Sequence, residues 1–191
     1  NYIMNSKQLN LNISEQTDSD VIASSKYNFK IELIYKVGRN DLNDLIETSK
    51  DLVEIFGEHA LLSERNIGKY FNDETLPFIA RYNDTIIGYI IGVPLEHFKE
   101  ESWSHFDTNL YKNNTLYTYA FVLRKKYQKR NGYAKTLKRI YINSAKKRNY
   151  KYISGHVNQN IMKNFSNAQI IKTFPIWYDA KYPFDYYRKE I

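Results

Sequence analysis

An apolar segment followed by a short polar turn and a basic amphipathic helix constrains this sequence most strongly. Residues 116–123 (Leu-Tyr-Thr-Tyr-Ala-Phe-Val-Leu) carry no charge and are rich in aromatic and β-branched side chains, as expected of a strand buried on both faces. From Ala134 to Ala145, apolar or small residues recur at helical spacing, and lysines and arginines occupy the other side. The segment therefore predicts a buried strand, a turn and a surface helix.

The turn before this helix has the properties of a phosphate-binding loop. A helix N-terminus offers unpaired backbone N–H groups and the positive end of the helix dipole. Gly132 allows close approach to the backbone, and Ala134 is small. We therefore predict phosphate binding by Lys129, Arg130, Asn131, Gly132, Tyr133 and Ala134.

The pattern Lys129-x-x-Gly132-x-Ala134 after a strand resembles the coenzyme A signature of the GNAT superfamily of N-acyltransferases, Gln/Arg-x-x-Gly-x-Gly/Ala. Lys129 replaces the usual Gln or Arg, and Gln128 comes one residue early. The element order that we predict over residues 28–191, β-α-α-β-β-β-α-β-α-β-β, also resembles that of the family. The resemblance implies an α/β (α+β) fold, a twisted mixed β-sheet with helices on both faces and splayed central parallel strands.

By position, the splayed strands would be residues 116–123 and 151–157. The resemblance implies that the pantetheine arm of acetyl-CoA lies between them and pairs with backbone groups of Phe121, Val122 and Leu123. A backbone N–H near Val122 would stabilise the negative charge that develops on the carbonyl oxygen. Asn160 matches an asparagine that the family places after the second strand. The implied function is an N-acetyltransferase that transfers the acetyl group of acetyl-CoA, its cosubstrate, directly to a primary amine of a small molecule or peptide.

Groups for proton transfer are few, because residues 108–178 contain no Asp or Glu. His156 ends the second splayed strand and is our candidate base, since an imidazole titrates near neutral pH. A packed core histidine is the alternative reading of this residue. The other candidates are carboxylates that act through water, and they lie in the long connection of residues 94–115: Glu96, Glu100, Glu101 and Asp107.

The acid that protonates the departing thiolate is the weakest part of the resemblance. The family usually has a tyrosine at the position of Ser166, and serine is a poorer acid by several pKa units. Ser166, a water molecule, Tyr178 or Tyr187 therefore remain as candidates. An aromatic C-terminal cluster could form either core packing or the wall of an amine site through cation–π contacts; its members are Phe174, Trp177, Tyr178, Tyr182, Phe184, Tyr186 and Tyr187.

Length and composition limit the remaining possibilities. A chain of 191 residues suits one domain, which we expect over residues 27–191, after an Asn- and Ser-rich arm or edge addition over residues 1–26. Without cysteine there is no disulfide, thiolate zinc site or thiol nucleophile, so we expect no metal and a cytoplasmic location. No apolar run approaches the roughly 20 residues of a membrane span, so we expect no membrane partner.

The formal net charge of +7 leaves two other functions open. A basic nucleic-acid-binding module would use the basic helix on a phosphate backbone, but the helix has an apolar stripe suited to burial and the chain lacks a base-reading motif. A non-catalytic acyl-CoA-binding or sensing domain would explain Ser166. A homodimer also remains open.

Overall fold

The computed structural model places an eight-stranded sheet at the centre of the chain and describes residues 13–25, 28–129, 131–162 and 165–191. The strands are β1 (Asp18–Ser24), β2 (Phe29–Lys36), β3 (Leu76–Tyr82), β4 (Thr85–Pro94), β5 (Thr115–Leu123), β6 (Tyr152–Asn158), β7 (Ala168–Phe174) and β8 (Phe184–Glu190). The helices are α1 (Arg39–Phe56), α2 (Ile67–Tyr70), α3 (Tyr133–Lys147) and α4 (Gln159–Met162). Over the described ranges, none of the helices combines the length and apolar character needed to cross a membrane.

The sheet is mixed and carries helices on both faces, as predicted. Its strand order is β1-β2-β3-β4-β5-β6-β8-β7; β5 and β6 run parallel, and the other described neighbours are antiparallel. Successive residues of a strand point to opposite faces. Tyr89 of β4 thus belongs to the apolar cluster that includes Leu45 of α1, whereas Ile90 belongs to the cluster that includes Leu137 of α3.

A tight turn joins β3 and β4. Asn83 and Asp84 both have positive φ, 48° and 64°. Two such residues form the turn whose twist matches that of the flanking strands, and Asn and Asp tolerate this conformation better than most residues.

The N-terminal region differs in part from a mobile arm. Asp18–Ser24 form β1, which pairs with β2 at the edge of the sheet, so this part of residues 1–26 is an edge addition. Residues 1–12 and Lys26 lie outside the described residues.

A buried ion cluster ties α1 to the sheet. Arg81 of β3 donates to Glu32 of β2 (Nε–Oε2 2.7 Å) and, through both terminal nitrogens, to Asp41 of α1 (2.8 and 2.6 Å). Burial opposes ionisation of Asp41, but hydrogen bonds from Arg81 and Thr17 outweigh it and hold the pKa of this carboxyl below its usual value. The three charges therefore stabilise the fold only as a complete set.

Replacing Arg81 with Met should destabilise the protein by about 3 to 5 kcal/mol, because buried Asp41 loses both guanidinium hydrogen bonds and Glu32 keeps, among the described residues, only the longer contact to Lys30 (3.6 Å). Chemical denaturation measures this loss. Lys50→Met is the matched control, since Lys50 pairs with Glu47 on the exposed surface, and it should change the free energy of unfolding by less than about 1 kcal/mol. Equal losses in both variants would contradict a structural role for the buried cluster.

Candidate functional site

The gap between β5 and β6 is the central feature of the site. The two strands pair at only three described positions, Thr115 with Tyr152, Leu116 with Ile153 and Tyr117 with Ser154. β5 then continues to Leu123 and β6 to Asn158 without further described pairing between them. The predicted splay is therefore confirmed, and the facing backbone edges are left for another partner.

A β-bulge lies where the gap opens. On β4, Ile91 pairs with Ala120 and Gly92 with Thr118, so Tyr119 is the extra residue of β5. Bulges bend a strand and redirect its backbone groups, and they occur often beside active sites. Here the bulge turns both Tyr119 and Ala120 toward the α1 face of the sheet.

A cavity of about 710 Å³ includes residues from both sides of this gap. We call the half beside α3 the α3 side and the half beside α1 the α1 side. The α3 side is lined by Lys138, Tyr141, Ile142, Phe165, Tyr187 and Lys189. The α1 side is lined by residues that include His59, Tyr70, Trp103, Tyr119, Trp177 and Tyr178.

The predicted phosphate loop lies directly before α3, the helix that lines the α3 side of the cavity. α3 begins at Tyr133, its first turn has no acidic residue, and within the described chain no side chain caps its N-terminus. Gly132 has φ of 66°, and a Cβ built there would meet no atom within 4 Å. The space beside Gly132 is therefore open, and the uncapped first N–H groups of α3 are available to phosphate oxygens.

The loop backbone is bent in a way that few residues favour. Lys129 and Asn131 also have positive φ, 56° and 49°, and the Gln128 side chain donates to the Leu123 carbonyl (2.7 Å) to close the loop. Arg130 lies outside the described residues. Ala134 and Lys138 are one helical turn apart on α3, so the loop and the cavity share one helix face.

Two histidines on the α1 side are each stacked on an aromatic ring. His156 stacks on Trp177 (ring centroids 3.7 Å apart), and His59 stacks on Tyr178 (3.9 Å). His156 Nε2 and His59 Nδ1 are buried and have no hydrogen-bond partner among the described residues. We call these four residues the imidazole clamp.

The connection between β7 and β8 carries Trp177 and Tyr178 of the imidazole clamp, and it is attached to the turn after α1. Asp179 accepts a hydrogen bond from the backbone N–H of Glu58 (3.2 Å), and a Cβ at Gly57 would lie 1.7 Å from the Asp179 carboxylate. Trp177 and Tyr178 are consecutive, and Tyr178 has φ of 50°. A tight turn in the connection between β7 and β8 therefore presents both rings to the cavity.

The environment of His156 differs from that expected of an ordinary imidazole. Only 8% of the residue is exposed, and its Nδ1 lies 2.7 Å from the hydroxyl of Tyr117. Burial lowers the pKa of His156 well below its usual value, and the nearby His59 lowers it further. The expectation that it titrates near neutral pH is wrong, and the ring is neutral at pH 7.

Several residues predicted for the site lie away from the cavity. Ser166 is exposed in the connection before β7 and does not line the cavity, so this placement does not support a catalytic role. Asn160 is exposed on α4, and its backbone N–H donates to the Asn158 side chain (2.9 Å). Phe121 does line the cavity, whereas Val122 and Leu123 pack into the two apolar cores.

The four alternative carboxylates separate into two groups. Glu96 accepts from the backbone N–H of Tyr111 (2.9 Å), and buried Asp107 is bound by Tyr186 and Arg188. These two residues hold the connection of residues 94–115 in place. Glu100 and Glu101 line the cavity. Among the described residues, no group of three His, Asp or Glu side chains could hold a metal ion.

Tyr187 supplies a protonated hydroxyl on the α3 side. It lies opposite Gly155, where β6 leaves β5, and a Cβ at Gly155 would be 3.0 Å from its oxygen. Burial raises the pKa of Tyr187 to about 12. This tyrosine therefore carries its proton at neutral pH and borders the gap.

The model of the acetyltransferase (GNAT) family matches residues 42–164, which run from α1 to the segment after α4. The chain belongs to the GNAT acetyltransferase family. As a member of this family it is an acetyltransferase that uses acetyl-CoA as its donor. No curated protein sequence gives a significant match.

Solved structures of other GNAT proteins share the fold. Ard1 from Thermoplasma volcanium aligns with a TM-score of 0.61 at 10% identity, over 86% of this chain and 98% of its own. The ribosomal-protein-S18-alanine N-acetyltransferase of Escherichia coli aligns with a TM-score of 0.58 at 13% identity, over 85% and 94%. A GNAT acetyltransferase from Elizabethkingia anophelis with acetyl-CoA bound aligns with a TM-score of 0.53 at 18% identity, over 87% and 100%. At such identities the likeness shows the fold.

Sequence reasoning missed His59, Tyr70 and Trp103 as cavity residues. Trp103 lay in a connection recognised as long, but His59 is in a single 3₁₀ turn after α1 and carries no pattern of its own. The alternation of Tyr117 and Tyr119 along β5 was a visible signal for a shared aromatic face.

The neutral state of His156 predicts a pH-dependent stability. At about pH 8 and above the imidazole is uncharged in both folded and unfolded chains, and contributes almost no slope. Below its unfolded pKa of 6.5, the unfolded chain binds a proton that the folded protein does not, so stability falls by up to about 1.4 kcal/mol per pH unit. Urea unfolding from pH 7 to pH 5 should show this loss.

The variant His156→Gln should flatten that slope, although His59 still contributes in the same direction. His105→Gln changes an exposed histidine and controls for the loss of an imidazole as such. An unaltered slope in His156→Gln would mean that His156 is not held neutral by burial.

Proposed function

We propose that this acetyltransferase transfers the acetyl group to a primary amine by direct attack. The observation that carries the proposal is the single cavity bordered by both sides of the gap between β5 and β6. Its α3 side is lined by the helix that begins at the phosphate loop. Its α1 side contains neutral imidazoles and aromatic rings. A donor on one side and an amine on the other would meet where the strands separate, which supplies the proximity that direct transfer needs.

The residues present fit acetyl-CoA. Backbone N–H groups from Gly132 to Lys135 would hold the pyrophosphate, and the unpaired edge of β5 beyond Tyr117 would hydrogen-bond the pantetheine arm as a further strand would. When bound, acetyl-CoA supplies a thioester carbonyl that is open to nucleophilic attack. Irregular backbone at the Tyr119 bulge, together with the N–H predicted near Val122, supports an oxyanion donor along this edge.

We assign the proton-accepting role on the α1 side to His59. Burial lowers the pKa of His59 below its usual value, against the opposing charge of Asp179, so the ring is neutral at pH 7. In the tautomer that carries its proton on Nε2, the unpartnered Nδ1 can accept a proton. An ammonium first releases one proton to solvent, and the neutral amine then attacks the thioester carbonyl. The nitrogen becomes far more acidic as its bond to the carbonyl carbon forms, and the C–S bond breaks as the thiolate leaves. A weakly basic imidazole therefore suffices to take the proton at that stage.

His156, which the sequence suggested as the base, has a different role in this proposal. The Tyr117 phenol has a pKa raised by burial and keeps its proton, and we assign it as the donor to His156 Nδ1. The neutral ring carries its own proton on Nε2, which can donate to the reacting groups. On the α3 side, Tyr187 replaces Ser166 as the acid that protonates the departing thiolate.

Gly132→Val should weaken acetyl-CoA binding by about tenfold or more, because a β-branched residue is strained at positive φ and fills the space open to phosphate. Lys129→Ala should cost less than about fivefold, since the backbone N–H groups remain. Isothermal titration gives both affinities. Gly68→Val, at a glycine with equally open surroundings, is the control. Unchanged affinity for acetyl-CoA in folded Gly132→Val would exclude phosphate binding by this loop.

His59→Gln should reduce kcat about 100-fold or more while acetyl-CoA affinity stays the same, because the coenzyme is held by other groups. The pH–rate profile of the variant should also lose its acidic limb. Release of free CoA thiol with a panel of amines gives both readouts. His156→Gln should lower kcat but keep that limb. If His156→Gln loses the limb and His59→Gln keeps it, the two roles are reversed.

The same assay separates catalysis from acyl-CoA sensing. A protein that binds acetyl-CoA through Gly132 but acetylates none of the amines would contradict the proposed transferase function. That result would favour the non-catalytic binding domain.

A further inference from the structure

We propose that the acceptor is a small primary amine carried on a planar aromatic body, an arylalkylamine, bound on the α1 side of the cavity. The inference rests on the N-acetyltransferase function proposed above and adds the class of acceptor. Three properties of the α1 side support it: the orientation of its rings, the charges at its border and the two unpartnered ring nitrogens of the imidazole clamp.

The rings of the α1 side are held in place by contacts among themselves. Tyr70 and Tyr119 stack at 3.9 Å with 13° between their planes, and Trp103 meets Trp177 edge-on at 6.3 Å. With the imidazole clamp, these pairs form flat, rigid walls. An aromatic guest gains stacking or edge contacts on such walls at little cost in conformational entropy, an advantage that a flexible aliphatic chain lacks.

The charges at the border favour a cation. Glu100 and Glu101 line the cavity, and Lys69 is the lysine on the same side, with its ammonium 5.6 Å from the centre of the Tyr70 ring. Two carboxylates against one ammonium attract a protonated amine and disfavour an acceptor that also carries a carboxylate. Aromatic rings add a cation–π attraction for the arriving ammonium.

The unpartnered nitrogens of the imidazole clamp match a single amino group. A peptide would bury backbone N–H and C=O groups as well, at a cost unless hydrogen bonds replace water. The imidazole clamp provides two free ring nitrogens, enough for one amino group. An acceptor with one nitrogen and an apolar body fits this number.

Five amines test the class: 2-phenylethylamine, n-hexylamine, spermidine, phenylalanine and an alanine-starting tetrapeptide. We expect kcat/KM for 2-phenylethylamine to exceed the value for n-hexylamine about threefold or more, and the values for the last three about tenfold or more. Both tryptophans of the chain, Trp103 and Trp177, line the α1 side. Binding of 2-phenylethylamine should therefore change the intrinsic fluorescence even without acetyl-CoA, which gives a readout independent of catalysis.

A matched pair of variants tests the wall. Tyr178→Leu removes a ring of the clamp and should raise the KM and Kd of 2-phenylethylamine about three- to tenfold, while n-hexylamine changes less than twofold, because leucine keeps the apolar contact. Tyr182→Leu changes a tyrosine of the same connection that is 56% exposed and outside the cavity, and should leave both amines unaffected.

Preference for spermidine, phenylalanine or the peptide, or an equal loss for both monoamines in Tyr178→Leu, would overturn the proposed acceptor class and leave amine acetylation standing. Fluorescence changes with 2-phenylethylamine but no acetyl transfer to any amine would instead overturn the transferase function and support the aromatic binding site. No fluorescence response to 2-phenylethylamine at concentrations that saturate turnover would place the acceptor elsewhere and overturn the inference.

Discussion

β5 and β6 share backbone hydrogen bonds at three positions and then separate, and the site depends on where this pairing stops. A strand edge buried without partners is costly, so the unpaired edges beyond Tyr117 and Ser154 call for a partner that can hydrogen-bond along them. The bulge at Tyr119 sets the point of separation by bending β5 while β4 continues to pair with it. The sheet remains continuous beside the gap because β5 pairs with β4, and β6 pairs with β8, along their other edges.

The α1 side is assembled from parts distant in sequence, and each part is held by a specific polar contact. Asp107 binds Arg188 and Tyr186, and so keeps the connection of residues 94–115 against β8. Asp179 binds the turn that follows α1. Because these anchors lie outside the cavity wall, the aromatic residues between them remain free to face a substrate. The architecture thus separates residues that support the walls from residues that contact the acceptor.

Proton transfer at this site relies on groups that burial keeps uncharged. His59 and His156 have lowered pKa values, and the pKa of Tyr187 is raised. Neutral imidazoles on one side of the gap and a protonated phenol on the other match a reaction that removes a proton from nitrogen and delivers one to sulfur. Asp179 opposes part of the effect of burial at His59, since a nearby negative charge raises an imidazole pKa, and burial is the larger effect.

The sequence by itself determined the elements whose signals are local. The apolar run of β5, the turn at Gly132 and the stripe of α3 lie within one continuous segment, and Asn83-Asp84 favours a hairpin, so periodicity and turn chemistry sufficed to predict these elements. The family followed from the resemblance of Lys129-x-x-Gly132-x-Ala134 to a coenzyme A signature. Only the tertiary structure decided the acceptor side. His59 meets Tyr178, and Tyr187 rather than Ser166 borders the gap, through contacts between segments far apart in the chain. Such contacts depend on how β8 and the turn after α1 pack against β6, and packing across a sheet leaves no periodic trace in the sequence.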